Sequence, residues 1–302
     1  SVYWSSAFFV TPDYRGKGVA RCLLKKIKTL NIDFPVTRMT PSAQKAYLNA
    51  GFKALGHLTY YQLRIEKIRK LKSILEEAQA STGWDADEQP HETALYQRSK
   101  EIFYANLMAD LKTQPNVVEA SRVDQIGLQA QQLIRQPADT PRFYRGLEAI
   151  NWMLKYRWII SAEKQKAQAV PYYFSWVNEM FDYVALDIYA TDTTVFKGFL
   201  VLSISSKKGR IWVRILDFAF ESADDDDLAA YFALRYAKKY GADRLEFPAR
   251  LLGYFQHHRL LAPLIKEQQR LYLFYPKRQQ SVLEACRGDI ELDYCDADTT
   301  FT

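Results

Sequence analysis

The run Val10-Thr-Pro-Asp-Tyr-Arg15-Gly16-Lys17-Gly18-Val19-Ala20 constrains this chain more than any other segment. A strand-like stretch, residues 2–10, leads into it. An amphipathic helix leads out, with Val19, Leu23, Leu24, Ile27 and Leu30 on one face. A glycine-rich turn between a strand and a helix is the geometry that holds a phosphate. Glycines let backbone N–H groups approach an anion, and the first helical turn adds unpaired donors and the positive end of the dipole. Arg15 and Lys17 supply formal charge. The expected fold is therefore α/β, with an anion site of pyrophosphate type at this corner.

Spacing narrows the choice. A P-loop needs Ser or Thr after its Lys, and Lys17 is followed by Gly18. A dinucleotide fold needs G-x-G-x-x-G, and the place of its third glycine is taken by Arg21. Arg15-x-x-Gly18-x-Ala20 instead resembles the R/Q-x-x-G-x-G/A loop of the GCN5-related N-acetyltransferases, which bind acetyl-CoA. Val10-x-Pro12-x-x-Arg15 is typical of the same family. Downstream, Ser42 to Phe52 resembles the family's later helix, which ends in Tyr47-x-x-x-Gly51-Phe52.

The resemblance implies a set of roles. Backbone of Phe8, Phe9 and Val10 would face the acetyl group and pantetheine. Backbone N–H groups of Arg15, Gly16, Lys17, Gly18, Val19 and Ala20 would face the pyrophosphate. Tyr47 would protonate the departing thiolate. The family often has Asn seven residues before this Tyr; here it is Thr40, which weakens or alters that contact. Family bases commonly sit on or near the strand before the loop, but residues 1–9 hold no Asp or Glu, and Asp13 is expected to cap the helix. No general base is assigned.

Element order extends the resemblance. Residues 1–65 read as strand, loop, helix (18–30), strand (34–39), helix (41–50) and strand (52–65), the carboxyl half of the acetyltransferase fold. The amino half is not in the given sequence, which leaves the acceptor site and an apolar sheet edge open. Residues 66–115 read as a connector: a helix at 66–80, a polar linker at 81–90 and a helix at 92–112. Residues 116–276 repeat the full family order. The expected elements are a strand at 117–120, helices at 123–135 and 143–156, and strands at 181–190, 196–205 and 210–220. A helix at 226–240, a strand at 244–248, a helix at 251–265 and a strand at 270–275 follow. Residues 277–302 read as an acidic, partly ordered tail. In this second copy the turn Glu221-Ser-Ala-Asp224-Asp-Asp-Asp227 replaces the phosphate loop with acids that suit a helix N-terminus and repel a phosphate.

At 302 residues two domains are expected, and 48% hydrophobic with 25% charged residues is ordinary for globular chains. The net charge of +6 gathers in two clusters: Arg21, Lys25, Lys26, Lys28 and Arg64, Lys67, Arg69, Lys70, Lys72. They read as solvated helix faces that attract an anionic cofactor, with nucleic acid or an anionic membrane as sharper alternatives. Cys22, Cys286 and Cys295 lack ligand spacing, and His257 and His258 are adjacent, so no metal site is expected. No apolar run reaches the length of a membrane span. The cysteine usage suits a reducing cytosol, so a cytoplasmic location is expected.

The leading expectation is a tandem-domain N-acetyltransferase that moves an acetyl group from acetyl-CoA to a primary amine on a small-molecule or peptide acceptor. The alternatives are a catalytically inactive binding or scaffold protein of the same fold, and an RNA-directed acetyltransferase.

Overall fold

The computed structural model describes residues 10, 12–71, 74, 76–77, 80, 92–111, 118–134, 143, 145–157, 159–162, 176–191, 195–277 and 280–294. The strand expected at 2–10, with Phe8 and Phe9, and the linker at 81–90 lie outside the described residues (residue 10 apart). The fold is mixed α/β. In chain order the elements are α1 (Val19–Thr29), β1 (Phe34–Val36), α2 (Pro41–Asn49), β2 (Lys53–Arg64), α3 (Glu92–Leu111), β3 (Val118–Val123), α4 (Leu147–Lys155), β4 (Ile159–Ser161) and β5 (Trp176–Asn178). They continue with β6 (Met180–Ala190), β7 (Phe196–Lys207), β8 (Arg210–Phe220), α5 (Asp227–Tyr240), β9 (Arg244–Pro248), α6 (Leu252–His257), β10 (Ile265–Tyr275) and α7 (Val282–Ala285). The chain divides into two compact units: residues 1–60, 136–144 and 269–302, and residues 61–135 and 145–268.

In the first unit β1 pairs antiparallel with β10, Phe34 opposite Tyr275 and Val36 opposite Leu273. Leu24 of α1, Val36, Tyr47, Phe52 and Leu273 form a core with Ile27, Phe34 and Tyr275 around them. Leu23 and Leu30, expected on the inward face of α1, are instead 44% and 52% exposed. Helix α2 starts where Thr40 Oγ1 accepts a bond from Ala43 N, with Pro41 in the first turn. It stops by a Schellman motif: Phe52 N donates to Tyr47 O (3.1 Å), Gly51 N donates to Leu48 O (2.9 Å), and Gly51 takes φ 87°. The Tyr47 and Phe52 rings meet edge to face at 4.8 Å, the apolar contact that accompanies this stop.

Residues 280–294 are built into this unit. The buried Asp33 carboxylate accepts bonds from Lys277 N (3.1 Å), Ser281 Oγ (2.6 Å) and Val282 N (3.1 Å). Lys53 pairs with Glu284 at 2.9 Å. Leu283 joins Leu55, Tyr272 and Phe274 in a second core. The Arg270 guanidinium lies over the rings of Tyr60 and Tyr294 and donates to Tyr294 O at 3.0 Å.

In the second unit the strand order is β2-β9-β8-β7-β6-β3. β3, β6, β7 and β8 form an antiparallel series, and β8 pairs parallel with β9. Lys208 and Gly209, at φ 53° and 68°, make the two-residue turn between β7 and β8. Alternate residues point to opposite faces. One face carries Leu186, Ile188, Leu200, Leu202, Val213 and Leu245 onto Phe103 and Leu107 of α3 and the Ala229–Ala233–Ala237 stripe of α5. Asp243, at the turn into β9, ties α3 in place. Its carboxylate accepts from Lys100 Nζ (2.7 Å), Tyr96 Oη (2.6 Å) and Ile211 N (2.8 Å).

Three helices differ from the sequence reading. Residues 123–135 were expected to be helical, but β3 runs to Val123 and only a 3-10 turn, Leu128–Gln132, follows. The Asn151 side chain brackets Ile126, accepting from its N (2.8 Å) and donating to its O (3.0 Å), and Gly127 carries the chain in an extended conformation. The helix expected at 66–80 opens as a 3-10 turn, Ile65–Lys70, and Leu71 is extended, while the described residues beyond it, 74, 76, 77 and 80, are helical as expected. The helix expected at 251–265 ends at His257, and Pro263 sits in a 3-10 turn that leads directly into β10.

Candidate phosphate-binding site

The loop before α1 lies open to solvent. Pro12–Tyr14 form one 3-10 turn, a run of turns follows, and residues 12–18 are exposed. Gly16 and Gly18 have φ 76° and 79°, left-handed values that favour glycine, and a Cβ built on either would meet nothing within 4 Å. Arg15 N and Lys17 N donate within the loop, to Pro12 O (3.1 Å) and Tyr14 O (3.4 Å), and so fix its turns. Gly18 is the N-cap of α1, with no side chain capping it. The first amide of the helix to find an intrahelical acceptor is Cys22 N, which donates to Gly18 O at 3.1 Å. The N–H groups before it are those a helix leaves without intrahelical partners. Asp13, expected to cap α1, sits in the preceding 3-10 turn and does not cap it.

Side chains brace the loop. Arg15 Nε donates to Val10 O at 3.2 Å and ties the middle of the loop back to its entry. Lys17 Nζ lies 5.5 Å from the centre of the Tyr14 ring. The residues named from sequence fall as follows. Val10 is half-buried at the entry; Arg15, Gly16, Lys17 and Gly18 form the exposed turn; Val19 and Ala20 are the half-buried first residues of α1. Phe8 and Phe9 lie outside the described residues. Tyr47 is 1% exposed, packed against Leu24 of α1 and Phe52, so the loop's helix and the Tyr-x-x-x-Gly-Phe helix share one core.

The turn after β8 is chemically opposite. Ser222 Oγ accepts from Asp224 N at 3.2 Å, and Asp224, Asp225 and Asp226 fill the first turn. Burial pushes the Asp226 carboxyl above its ordinary value; Arg250 opposes this, and Asp227 and Asp225 add to it. Arg250 Nη2 donates to Phe218 O at 2.7 Å, and its guanidinium lies 3.4 Å from the Phe218 ring centre. β8 and β9 pair only over Trp212–Arg214 and Arg244–Glu246, so Arg250 serves a β8 carbonyl beyond the end of that ladder. Nothing local in Pro248-Ala-Arg250-Leu announces this role; it follows from a contact with a strand thirty-two residues earlier. The Tyr254 hydroxyl, on α6, is buried without a hydrogen-bond partner among the described residues, and burial pushes it up, with Asp227 and Tyr231 adding to this.

Among the described residues no group of three or more His, Cys, Asp or Glu side chains is placed to hold a metal ion. No helix among them is long and apolar enough to cross a membrane.

The solved structures this chain resembles include GCN5-related N-acetyltransferases. One, from Anabaena variabilis, is 12% identical with a TM-score of 0.44, over 90% of this chain and 54% of that one. A tandem GNAT protein from the clavulanic acid biosynthesis pathway is 10% identical with a TM-score of 0.48, over 91% and 74%. L-PGS from Bacillus licheniformis is 9% identical with a TM-score of 0.41, over 90% and 77%. The chain thus spans about half the length of the Anabaena protein. No protein-family model and no curated protein matches it.

Proposed function

We propose that the chain is an acetyl-CoA-dependent N-acetyltransferase acting on a primary amine. The carrying observation is the exposed loop of residues 12–18, with left-handed Gly16 and Gly18 and an uncapped helix N-terminus, next to Arg15 and Lys17. Of the backbone N–H groups expected from Arg15 to Ala20, those of Arg15 and Lys17 donate inside the loop to Pro12 O (3.1 Å) and Tyr14 O (3.4 Å), so Gly16, Gly18, Val19 and Ala20 would hold the pyrophosphate, and the backbone of Phe8, Phe9 and Val10 the pantetheine arm. In the transfer the amine nitrogen bonds to the acyl carbon, the C–S bond breaks, and the thiolate takes a proton, for which Tyr47 is the proposed donor. The amine's own proton passes to a base that is not assigned. Residues 1–65 form the proposed cofactor domain, 66–115 the connector, 116–276 a second copy that does not bind acetyl-CoA, and 277–302 the terminal segment. The acidic turn at Asp224–Asp227 supports that asymmetry. A cytoplasmic setting belongs to the same proposal.

Calorimetric titration of acetyl-CoA into the chain tests this. Micromolar binding is expected, weakened at least tenfold in Arg15→Ala/Gly18→Asp. Unchanged affinity in that variant, or no binding by the parent, contradicts the proposal. One observation favours a second reading, a binding protein without turnover: Tyr47 is packed in a core at 1% exposure. Acetyl-CoA binding without thiol release across a broad amine panel would select it.

A further inference from the structure

Helix α1 continues beyond the loop with a surface that a free cofactor does not need. It has 11 residues and no acid, and spans about 16 Å. Arg21 and Lys25, four residues apart, form one exposed ridge. Leu23, Lys26 and Leu30, spaced by three and four, form another. None of Arg21, Lys25 and Lys26 forms an ion pair among the described residues. Lys28 is different: it is half-buried, and its Nζ lies 5.2 Å from the Tyr275 ring centre. A pyrophosphate held by the loop would meet only the first turn of α1. The remaining turns offer unneutralised positive charge beside two leucines.

We propose that this face docks an acidic, helical carrier protein whose phosphopantetheine phosphate sits in the loop, so that the acyl donor is a carrier-bound thioester. The proposal rests on the loop being a pantetheine-phosphate site. Charge complementarity selects the partner: a carrier presents carboxylates around the serine that bears its phosphate, and that phosphate brings the carrier body against α1. Apolar contacts from the carrier would cover Leu23 and Leu30. A lipid surface fits less well. An interfacial helix inserts its continuous apolar face, whereas Leu24 and Ile27 of α1 face the core. RNA would use the charge and leave the leucines in water.

The test is a binding comparison on the full chain with four probes: an acetyl-loaded acyl carrier protein, free acetyl-CoA, phosphatidylglycerol vesicles and bulk tRNA. Lys25→Glu/Lys26→Glu and, separately, Leu23→Ser/Leu30→Ser change exposed positions outside the loop; circular dichroism verifies their fold. The expected result is carrier binding that falls at least tenfold in each variant, while acetyl-CoA affinity stays within twofold in Leu23→Ser/Leu30→Ser and falls by less than carrier affinity in Lys25→Glu/Lys26→Glu, whose charges also attract the free anion. Carrier affinity unchanged in the variants, or absent while acetyl-CoA binds, overturns the docking proposal and leaves the loop assignment standing. Failure of both the carrier and acetyl-CoA to bind overturns the two together. Vesicle or tRNA binding that responds to the variants, with carrier binding that does not, reassigns the surface.

Discussion

Gly18 carries two requirements at one position: a φ of 79° that a side chain resists, and an open approach to the first amides of α1. Gly18→Ala should cost about 1–2 kcal/mol in stability from the left-handed backbone alone, read by denaturant unfolding. It should also weaken acetyl-CoA binding. Tyr47 separates packing from chemistry. Tyr47→Phe keeps the ring contact with Phe52, so unfolding should shift by less than about 1.5 kcal/mol. A fall in kcat with KM unchanged would support the proton-donor role, and full activity would assign Tyr47 to packing alone. Asp187 makes a pH prediction. It is 5% exposed, Oδ1 has no hydrogen-bond partner among the described residues, and burial raises its carboxyl above the ordinary 3.8 despite a bond from Gly127 N. A raised carboxyl value means the folded state holds the proton more tightly. This contribution is complete below 3.8 and is lost as pH rises through the folded value. Asp187→Asn should therefore unfold like the parent near pH 3 and at least as hard at pH 7. The glycines and the Tyr-x-x-x-Gly-Phe spacing were legible in sequence. The helix was read as ending in that motif; the bonds from Phe52 N and Gly51 N that make the stop show only in the structure.

Elements with a strong period were read correctly, and elements decided by remote contacts were not. β6, β7 and β8 show runs that only a central strand buries, and α5 shows an alanine stripe closed by Gly241 in the left-handed region. Residues 123–135 carry Ile126, Leu133 and Ile134 at helical spacing, yet Asn151, twenty-five residues away in sequence, holds Ile126 out of a helix. The Lys100–Asp243 pair makes an element-scale prediction, since it ties α3 to the turn before β9 with both side chains under a tenth exposed. Lys100→Met leaves a buried carboxylate without its cation and should cost about 3–5 kcal/mol. Burial alone would raise Asp243, but Lys100, Tyr96 and the Ile211 amide together hold it below its ordinary value. That contribution is full above the unfolded value near 3.8 and is lost as pH falls through the folded one. Unfolding of the parent should steepen on the acid side, and Lys100→Met should flatten that limb.

The reciprocal placing of strands was hidden from the sequence. β10, last of the second element series, pairs with β1 in the first unit; β2, last of the first series, lies beside β9 in the second unit. Reading along the chain assigns each series to one contiguous range. Strand partners are set by burial across the sheet, which no local pattern encodes. The same holds for residues 280–294: their acids suggested a partly ordered tail, and Leu283, Tyr294 and the partners of Asp33 build this part of it in. Ending the chain at residue 276 should remove about 5 kcal/mol or more, through two vacated core positions and the exposed Asp33 and Arg270 partners. The loop before α1 is proposed to take the cofactor, and the acidic turn after β8 is not. Amide hydrogen exchange of the full chain, with and without saturating acetyl-CoA, tests this assignment at both turns at once. Slowed exchange is expected from Gly16 to Arg21 and unchanged exchange from Ser222 to Asp227. Protection at the acidic turn, or none at either, would contradict it.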